Sequence, residues 1–305
     1  MIRQVSLGVS LGLCLAAIQL TTTATVSAKD LKVLSEKTIT GFGHVESVAY
    51  DPRGKALYVS DFGPDFKDAA KDGKGKITKL SLDGKILEDG FLPAKGQVLN
   101  KPKGVWIRGN RLWVTDIDSV WVFDLKTKEG KKLELPGVTY ANDVTFMGGA
   151  LYVSDNLSDQ VVRVAPADFL KSKDAPKISV VLKDKTINPN GLFPGKRGAL
   201  LMVGTKDKDN PRAIYSMASG KDPIALTDNF GVLDGLYQMR GGDFLVTDWK
   251  TGSLIRWSKK DGMQKVAGDF KGPADFCAFL NEDGLMVAVP DLVKGEVRLI
   301  QLSRP

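Results

Sequence analysis

The sequence predicts an all-β chain: a six-bladed β-propeller of four-stranded blades, closed by an N-terminal strand that completes the last blade. Three observations predict it. First, one unit is written six times: ESVAYDPRGKALYVSD from Glu46, KGVWIRGNRLWVTD from Lys103, NDVTFMGGALYVSD from Asn142, NGLFPGKRGALLMVGT from Asn190, DGLYQMRGGDFLVTD from Asp234 and DFCAFLNEDGLMVAVPD from Asp275. Second, the repeats are mostly roughly 40 to 50 residues apart, room for about four strands and a period that propeller blades adopt. Third, the last unit runs out of chain after its third strand, at Leu302, whereas LKVLSEKTIT (31–40) is strand-like and precedes the first unit. That segment is expected to be the outer strand of the final blade, a closure that removes two exposed sheet edges.

In chain order, residues 1–28 come first. Arg3, a short apolar stretch and the small residues Val26-Ser27-Ala28 predict a secretory signal peptide, with export to the periplasm or the medium. The apolar stretch is shorter than the ~20 residues of a membrane span, so no transmembrane anchor is expected. LGLC, ending at Cys14, lacks the small residue that a lipoprotein box requires before its cysteine. Removing the leader leaves one propeller domain, 29–305, with Cys277 as its single cysteine, so packing rather than a disulfide must hold the fold.

The formal charge of the chain is +7. Its lysines are scattered through turns such as KDGKGK and SKKDG, which reads as a solvated surface. Nothing resembles a nucleic-acid module. The expected partner is a small molecule, and the expected state is a monomer.

Within each unit a short apolar strand leads through a Gly-rich hairpin turn, such as IRGN or QMRGG, into a second apolar strand. A third strand of alternating type follows, such as QVVRVAP or SLIRWSK. Asp61, Asp116, Asp155 and Asp248 close the second strand in four of the blades. One copy per blade reads as a structural turn or an inter-blade cap. The loop after Asp61, FGPDFKDAAKDGKGK, explains the longest interval and is expected to be a mobile loop on the rim of the site.

The first strand of a propeller blade lines the central channel, so the residues that open the six units converge on the axis. They are Glu46, Lys103, Asn142, Asn190, Asp234 and Asp275. Carboxylate and amide oxygens are hard ligands. They suit one divalent metal ion, Ca²⁺ foremost, with Mn²⁺, Mg²⁺ or Zn²⁺ as alternatives. The competing account is that Asn-Gly and Asp-Gly merely form the turns that start strands. It handles any one copy, but not a polar residue at all six positions. Lys103 matches a metal site least. It is expected to pair with Asp275, to reach a substrate carbonyl or carboxylate, or to snorkel to the channel mouth.

Glu46, the Asn-Asp of ANDV, the Pro-Asn-Gly of NPNGL and the Asp-Gly of LDGL, each in its own blade, resemble the senescence marker protein/gluconolactonase family, also called regucalcins. The resemblance extends over the whole chain after the leader through blade order. It implies a six-bladed propeller with lactone hydrolase activity and one catalytic divalent metal. It further implies that Glu46, Asn190 and Asp234 bind the metal, that Asn142 contacts substrate and metal-bound water, and that Asp234 is the general base. Members acting on sugar lactones often carry an arginine two residues before the substrate asparagine. Here that position is Tyr140, which argues against a sugar lactone. The histidine pair of the more distant paraoxonases is also missing, because His44 is the one histidine. The function expected is therefore metal-dependent hydrolysis of a lactone or related ester, with Lys103, Tyr140 and Asp275 beside the substrate. The alternative is a non-catalytic exported propeller that binds a ligand or a protein.

Overall fold

The computed structural model describes residues 30–67 and 69–305. The leader expected at 1–28 lies outside the described residues. Six four-stranded antiparallel sheets follow one another around a ring, as the repeats predict. Blades 1 to 5 each use four consecutive strands. Their innermost strands are Val45–Asp51, Pro102–Arg108, Ala141–Met147, Pro189–Pro194 and Leu233–Gln238. Blade 6 takes three strands from the C-terminus, and its fourth, outer strand is Val33–Ile39. This N-terminal strand pairs antiparallel with Glu296–Leu302, for example Lys37 with Leu299 and Ile39 with Val297. The ring is closed as expected.

The second strand of each blade is apolar almost throughout because it is covered on both faces. Ala56–Asp61 and Phe244–Asp248 are buried at every position. The hydrophobic core is accordingly divided into slabs between neighbouring blades. Leu57, Val59 and Leu80 of blade 1 meet Phe279, Val297 and Leu299 of blade 6, and Trp113 and Val122 of blade 2 meet Val144 and Val153 of blade 3. Outer strands such as Ile86–Leu92 are mostly exposed and alternate poorly. Among the described residues no helix is long and apolar enough to cross a membrane.

The loop after Asp61 is tied down near its start. The Lys101 ammonium, fully buried, donates to Phe62 O at 2.9 Å and Asp65 O at 3.2 Å, and pairs with Asp72 at 2.8 Å. His44 has a structural position too. Its Nδ1 donates to Leu292 O at 3.0 Å, joining blade 1 to blade 6, and its ring meets Phe66 edge-on.

Candidate functional site

The innermost strands of blades 1 to 5 share one irregularity. In blade 1, Val45 pairs with Asp61 and Val48 with Val59, so the inner strand carries one residue more than its neighbour. The same bulge separates Pro102 from Val105, Ala141 from Val144, Pro189 from Leu192 and Leu233 from Leu236. A bulge re-aims side chains and leaves a backbone group without its ladder partner. The bulged pairs are Glu46-Ser47, Lys103-Gly104, Asn142-Asp143, Asn190-Gly191 and Asp234-Gly235, so each opening residue sits at the bulge.

The orphaned amides are satisfied by a hydroxyl near the end of the second strand. Ser47 N donates to Ser60 Oγ at 2.9 Å, Asp143 N to Ser154 Oγ at 3.0 Å, and Gly235 N to Thr247 Oγ1 at 2.7 Å. The aspartate that follows each hydroxyl holds the approach to the inner strand. Asp61 accepts from Gly43 N and His44 N, Asp116 from Asn100 N and Lys101 N, Asp155 from Thr139 N, and Asp248 from Val232 N. Asp291 does the same in blade 6, accepting from Lys271 N and Gly272 N. The repeated aspartates are caps, and with the adjacent Ser or Thr they build the bulge that turns a polar residue toward the axis.

The glycine of the Lys-Gly, Asn-Gly and Asp-Gly pairs has a different reason from a turn. None of Gly104, Gly191 and Gly235 has a positive φ. A Cβ on Gly191 would lie 1.9 Å from Asp234 O, and one on Gly104 2.6 Å from Asp143 Cα. Glycine stands there because the next blade's inner strand passes too close for any side chain.

Five of the six opening residues are buried around the channel, and Asp275 is half-buried. Glu46 and Asn142 are each 5% exposed, Asn190 4% and Asp234 7%. The Asn142 amide N–H donates to Asn190 Oδ1, and Asn190 Nδ2 donates to Leu233 O at 3.2 Å. Asp275 lies just before its strand, Cys277–Leu280, rather than within it. Its Oδ2 accepts from Ser47 Oγ at 2.6 Å, and its backbone N–H donates to Glu46 O at 3.0 Å. Blade 6 is thereby joined to blade 1 at the site.

Two residues that the repeats did not single out as site residues complete the cluster. Asp143 is buried beside Asn142, and its carboxylate accepts from Val144 N and Leu192 N, both at 2.6 Å. Trp249 follows the cap Asp248, and its indole N–H donates to Asp234 Oδ2 at 2.8 Å. Asp143 is visible in the sequence as the one bulged pair whose second residue is a carboxylate. Nothing in DWK marks Trp249, because its contact crosses from the second strand's end to the first strand's start.

Four carboxylates thus share one buried channel. Burial is the main cause that pushes Glu46 well above the usual carboxylate range, reinforced by the charges of Asp234, Asp275 and Asp143. Burial and then Asp275 push Asp234 up to about 7, against hydrogen bonds from Trp249 and Asn190. Burial pushes Asp275 up to about 6, against the Ser47 hydroxyl and the Phe276 N–H. Asp143 is raised by burial and by Asp275. Glu46 Oε2 is buried without a hydrogen-bond partner among the described residues.

Lys103 partly offsets this charge, and its field lowers Glu46. It is fully buried, so it does not snorkel to the mouth. Its ammonium lies 4.1 Å from the centre of the Tyr140 ring and 5.3 Å from that of Phe62. A cation over an aromatic face is stabilised by the ring's quadrupole. Tyr140, standing where the resemblance places an arginine, therefore supports a lysine from the neighbouring blade.

No family model and no curated protein sequence matches the chain. Solved structures do match its shape. A protein assigned as a gluconolactonase superposes with a TM-score of 0.63 at 16% identity, covering 90% of this chain and 95% of its own. A gluconolactonase from Xanthomonas campestris gives 0.62 at 14%, covering 89% and 91%. A streptogramin B lyase gives 0.55 at 16%, covering 88% and 98%. At such identities the likeness establishes a shared fold and leaves the chemistry to the site.

Proposed function

We propose that the chain hydrolyses a lactone or a related ester in its central channel, with a divalent metal ion held by Glu46, Asn190, Asp234 and Asn142. The observation that carries this reading is the buried, unpartnered Glu46 Oε2 among three further carboxylates. Burying unpaired negative charge is costly, and a divalent cation is the simplest group to relieve it. Among the described residues no three His, Cys, Asp or Glu side chains could hold an ion by themselves. The amide oxygens of Asn142 and Asn190 are needed, and an all-oxygen set of mixed charge suits Ca²⁺.

When bound, such an ion polarises the substrate carbonyl and acidifies a water molecule. Asp234 would take a proton from water as the water oxygen attacks the carbonyl carbon, the general-base step. Trp249 holds Asp234 Oδ2 and so fixes the orientation of the carboxylate. The acyl–oxygen bond then breaks, and the proton on Asp234 passes to the departing alkoxide. Asn142 orients the substrate, and Lys103, set over Tyr140, faces its carbonyl or carboxylate. The gluconolactonase neighbours agree with this reaction class at the level of the fold.

The test is a screen of lactones and aryl esters with purified protein, repeated after EDTA and after adding Ca²⁺ back. Turnover lost with EDTA and restored by the ion is the expected result. Turnover indifferent to EDTA removes the metal, and no turnover of any substrate leaves the non-catalytic binding propeller in its place.

A further inference from the structure

The polar cluster occupies the N-terminal ends of the innermost strands. Farther along the same strands, toward the opposite mouth of the channel, the lining changes character. A cavity of about 240 Å³ opens there between the blades. Its walls are aromatic, formed by Tyr50, Trp106, Phe193 and Tyr237, and Asp143 and Asp275 also line it. All four rings are only partly buried and line the cavity.

The rings form a fixed box rather than a flexible patch. Trp106 and Phe193 meet edge to face, with centroids 6.3 Å apart and planes at 71°, and Phe193 and Tyr237 do so at 5.3 Å and 67°. Rings joined this way stand at steep angles to one another, so neighbouring walls of the cavity are not parallel. Across the cavity Tyr50 is held by stacking on Phe279 at 3.9 Å. On a chain with a formal charge of +7, this mouth has two carboxylates and no Lys, Arg or His in its lining.

A plain apolar ligand would account for the rings but not for the carboxylates, and an anion would be repelled by them. A hydrated metal ion would leave the rings unused. Aromatic faces attract a cation through their quadrupole, and recognition of quaternary ammonium groups is the characteristic use of such boxes. We propose that this mouth of the channel binds a small organic cation, a quaternary ammonium or an alkylated amine. Its apolar substituents lie against Trp106, Phe193, Tyr237 and Tyr50, and its charge faces Asp143 and Asp275. The site shares Asp143 and Asp275 with the polar cluster, but its rings take no part in the hydrolytic reading, so it stands whether or not the chain turns over an ester.

The experiment is calorimetric titration of the purified protein with choline and with its uncharged isostere 3,3-dimethyl-1-butanol. The same titrations are made on Trp106→Leu and Phe193→Leu, each checked for an unchanged circular dichroism spectrum. Choline is expected to bind at least about tenfold tighter than the alcohol, and each variant to lose about three- to tenfold, the scale of one cation–π contact. Equal binding of both ligands makes the cavity merely apolar and overturns the proposal, as does no binding of choline. Choline that binds both variants as well as the native protein sits elsewhere, for instance beside Glu46 and Asp234, and overturns it equally. If one variant misfolds, the other, together with the comparison of the two ligands, still decides.

Discussion

The indole N–H of Trp249 donates to Asp234 Oδ2 at 2.8 Å, so the candidate base is held by a residue from the next strand of its own blade. The bond stabilises the charged carboxylate and opposes the rise that burial and Asp275 impose. Trp249→Phe keeps an aromatic ring against Phe62 and Leu292 but deletes the donor. A hydrogen bond to a charged group contributes about 1.5 kcal/mol, so the acidic limb of the pH–rate profile should move up by roughly one pH unit. Asp234→Asn should cost about 10²- to 10⁴-fold in rate and abolish that limb, because the group that titrates is gone. A Trp249→Phe enzyme with an unshifted limb would mean that Asp234 is not the titrating base.

Glu46→Gln should act with opposite signs on the two states of the protein. With Ca²⁺ present, loss of a charged ligand should weaken affinity by roughly tenfold or more, a scale reached even by residues behind the ligands. Without Ca²⁺ the same change removes the repulsion that Glu46 shares with Asp234, Asp275 and Asp143, so the melting temperature should rise. Calorimetric titration and thermal melts in EDTA measure the two effects. An unchanged Ca²⁺ affinity would exclude Glu46 as an essential ligand.

Stability of the metal-free protein should fall as pH rises. The unfolded reference for Asp234 is 3.8 and its folded value is about 7, while Asp275 stands at about 6. Both are raised on folding, so the native state binds more protons than the unfolded chain between pH ~4 and ~7. Stability therefore declines across that window. For a domain of this size each 1 kcal/mol is about 2–4 °C, and a drop of several degrees from pH 5 to pH 7.5 is expected. Saturating Ca²⁺ should flatten the slope, because protons and the ion compete for the same oxygens. Melts in EDTA and in Ca²⁺ across this range provide the check, and a flat EDTA curve would contradict the shared channel charge.

Lys103→Met preserves length and removes the positive charge that lowers Glu46. Divalent affinity should rise roughly tenfold, since a like-charge neighbour leaves the cation's field. Turnover of an anionic substrate should fall, while that of a neutral ester is less affected. Because the ammonium lies over Tyr140 at 4.1 Å, a modest loss of stability, about 0.5–2 kcal/mol, should accompany the change. Metal affinity and turnover both equal to native would place Lys103 outside the site.

Much of the architecture was legible because it is local and repeated. The V-[ST]-D ending of the second strands in four blades is readable one blade at a time, and the structure explains both polar letters. The hydroxyl satisfies the bulge, and the carboxylate holds the segment that enters the inner strand of the same blade. The glycines of Asn-Gly and Asp-Gly were legible as residues but not as causes. They look like turn formers, yet Gly191 is required by the Asp234 carbonyl of a different blade.

By itself the sequence determined the number of blades, their order, the strand that closes the ring and the polar residue that opens each unit. These depend on hydrophobic alternation, turn chemistry and period, which are properties of neighbouring residues. Only the tertiary structure decided what those residues meet. It brought Trp249 to Asp234 and set Lys103 over Tyr140. It added Asp143 to the channel charge and lined the opposite mouth with rings from blades 1, 2, 4 and 5. The physical reason is the geometry of a propeller. Its axis gathers side chains that are tens of residues apart, and the free energy of that gathering resides in burial and charge between blades, which no single repeat contains.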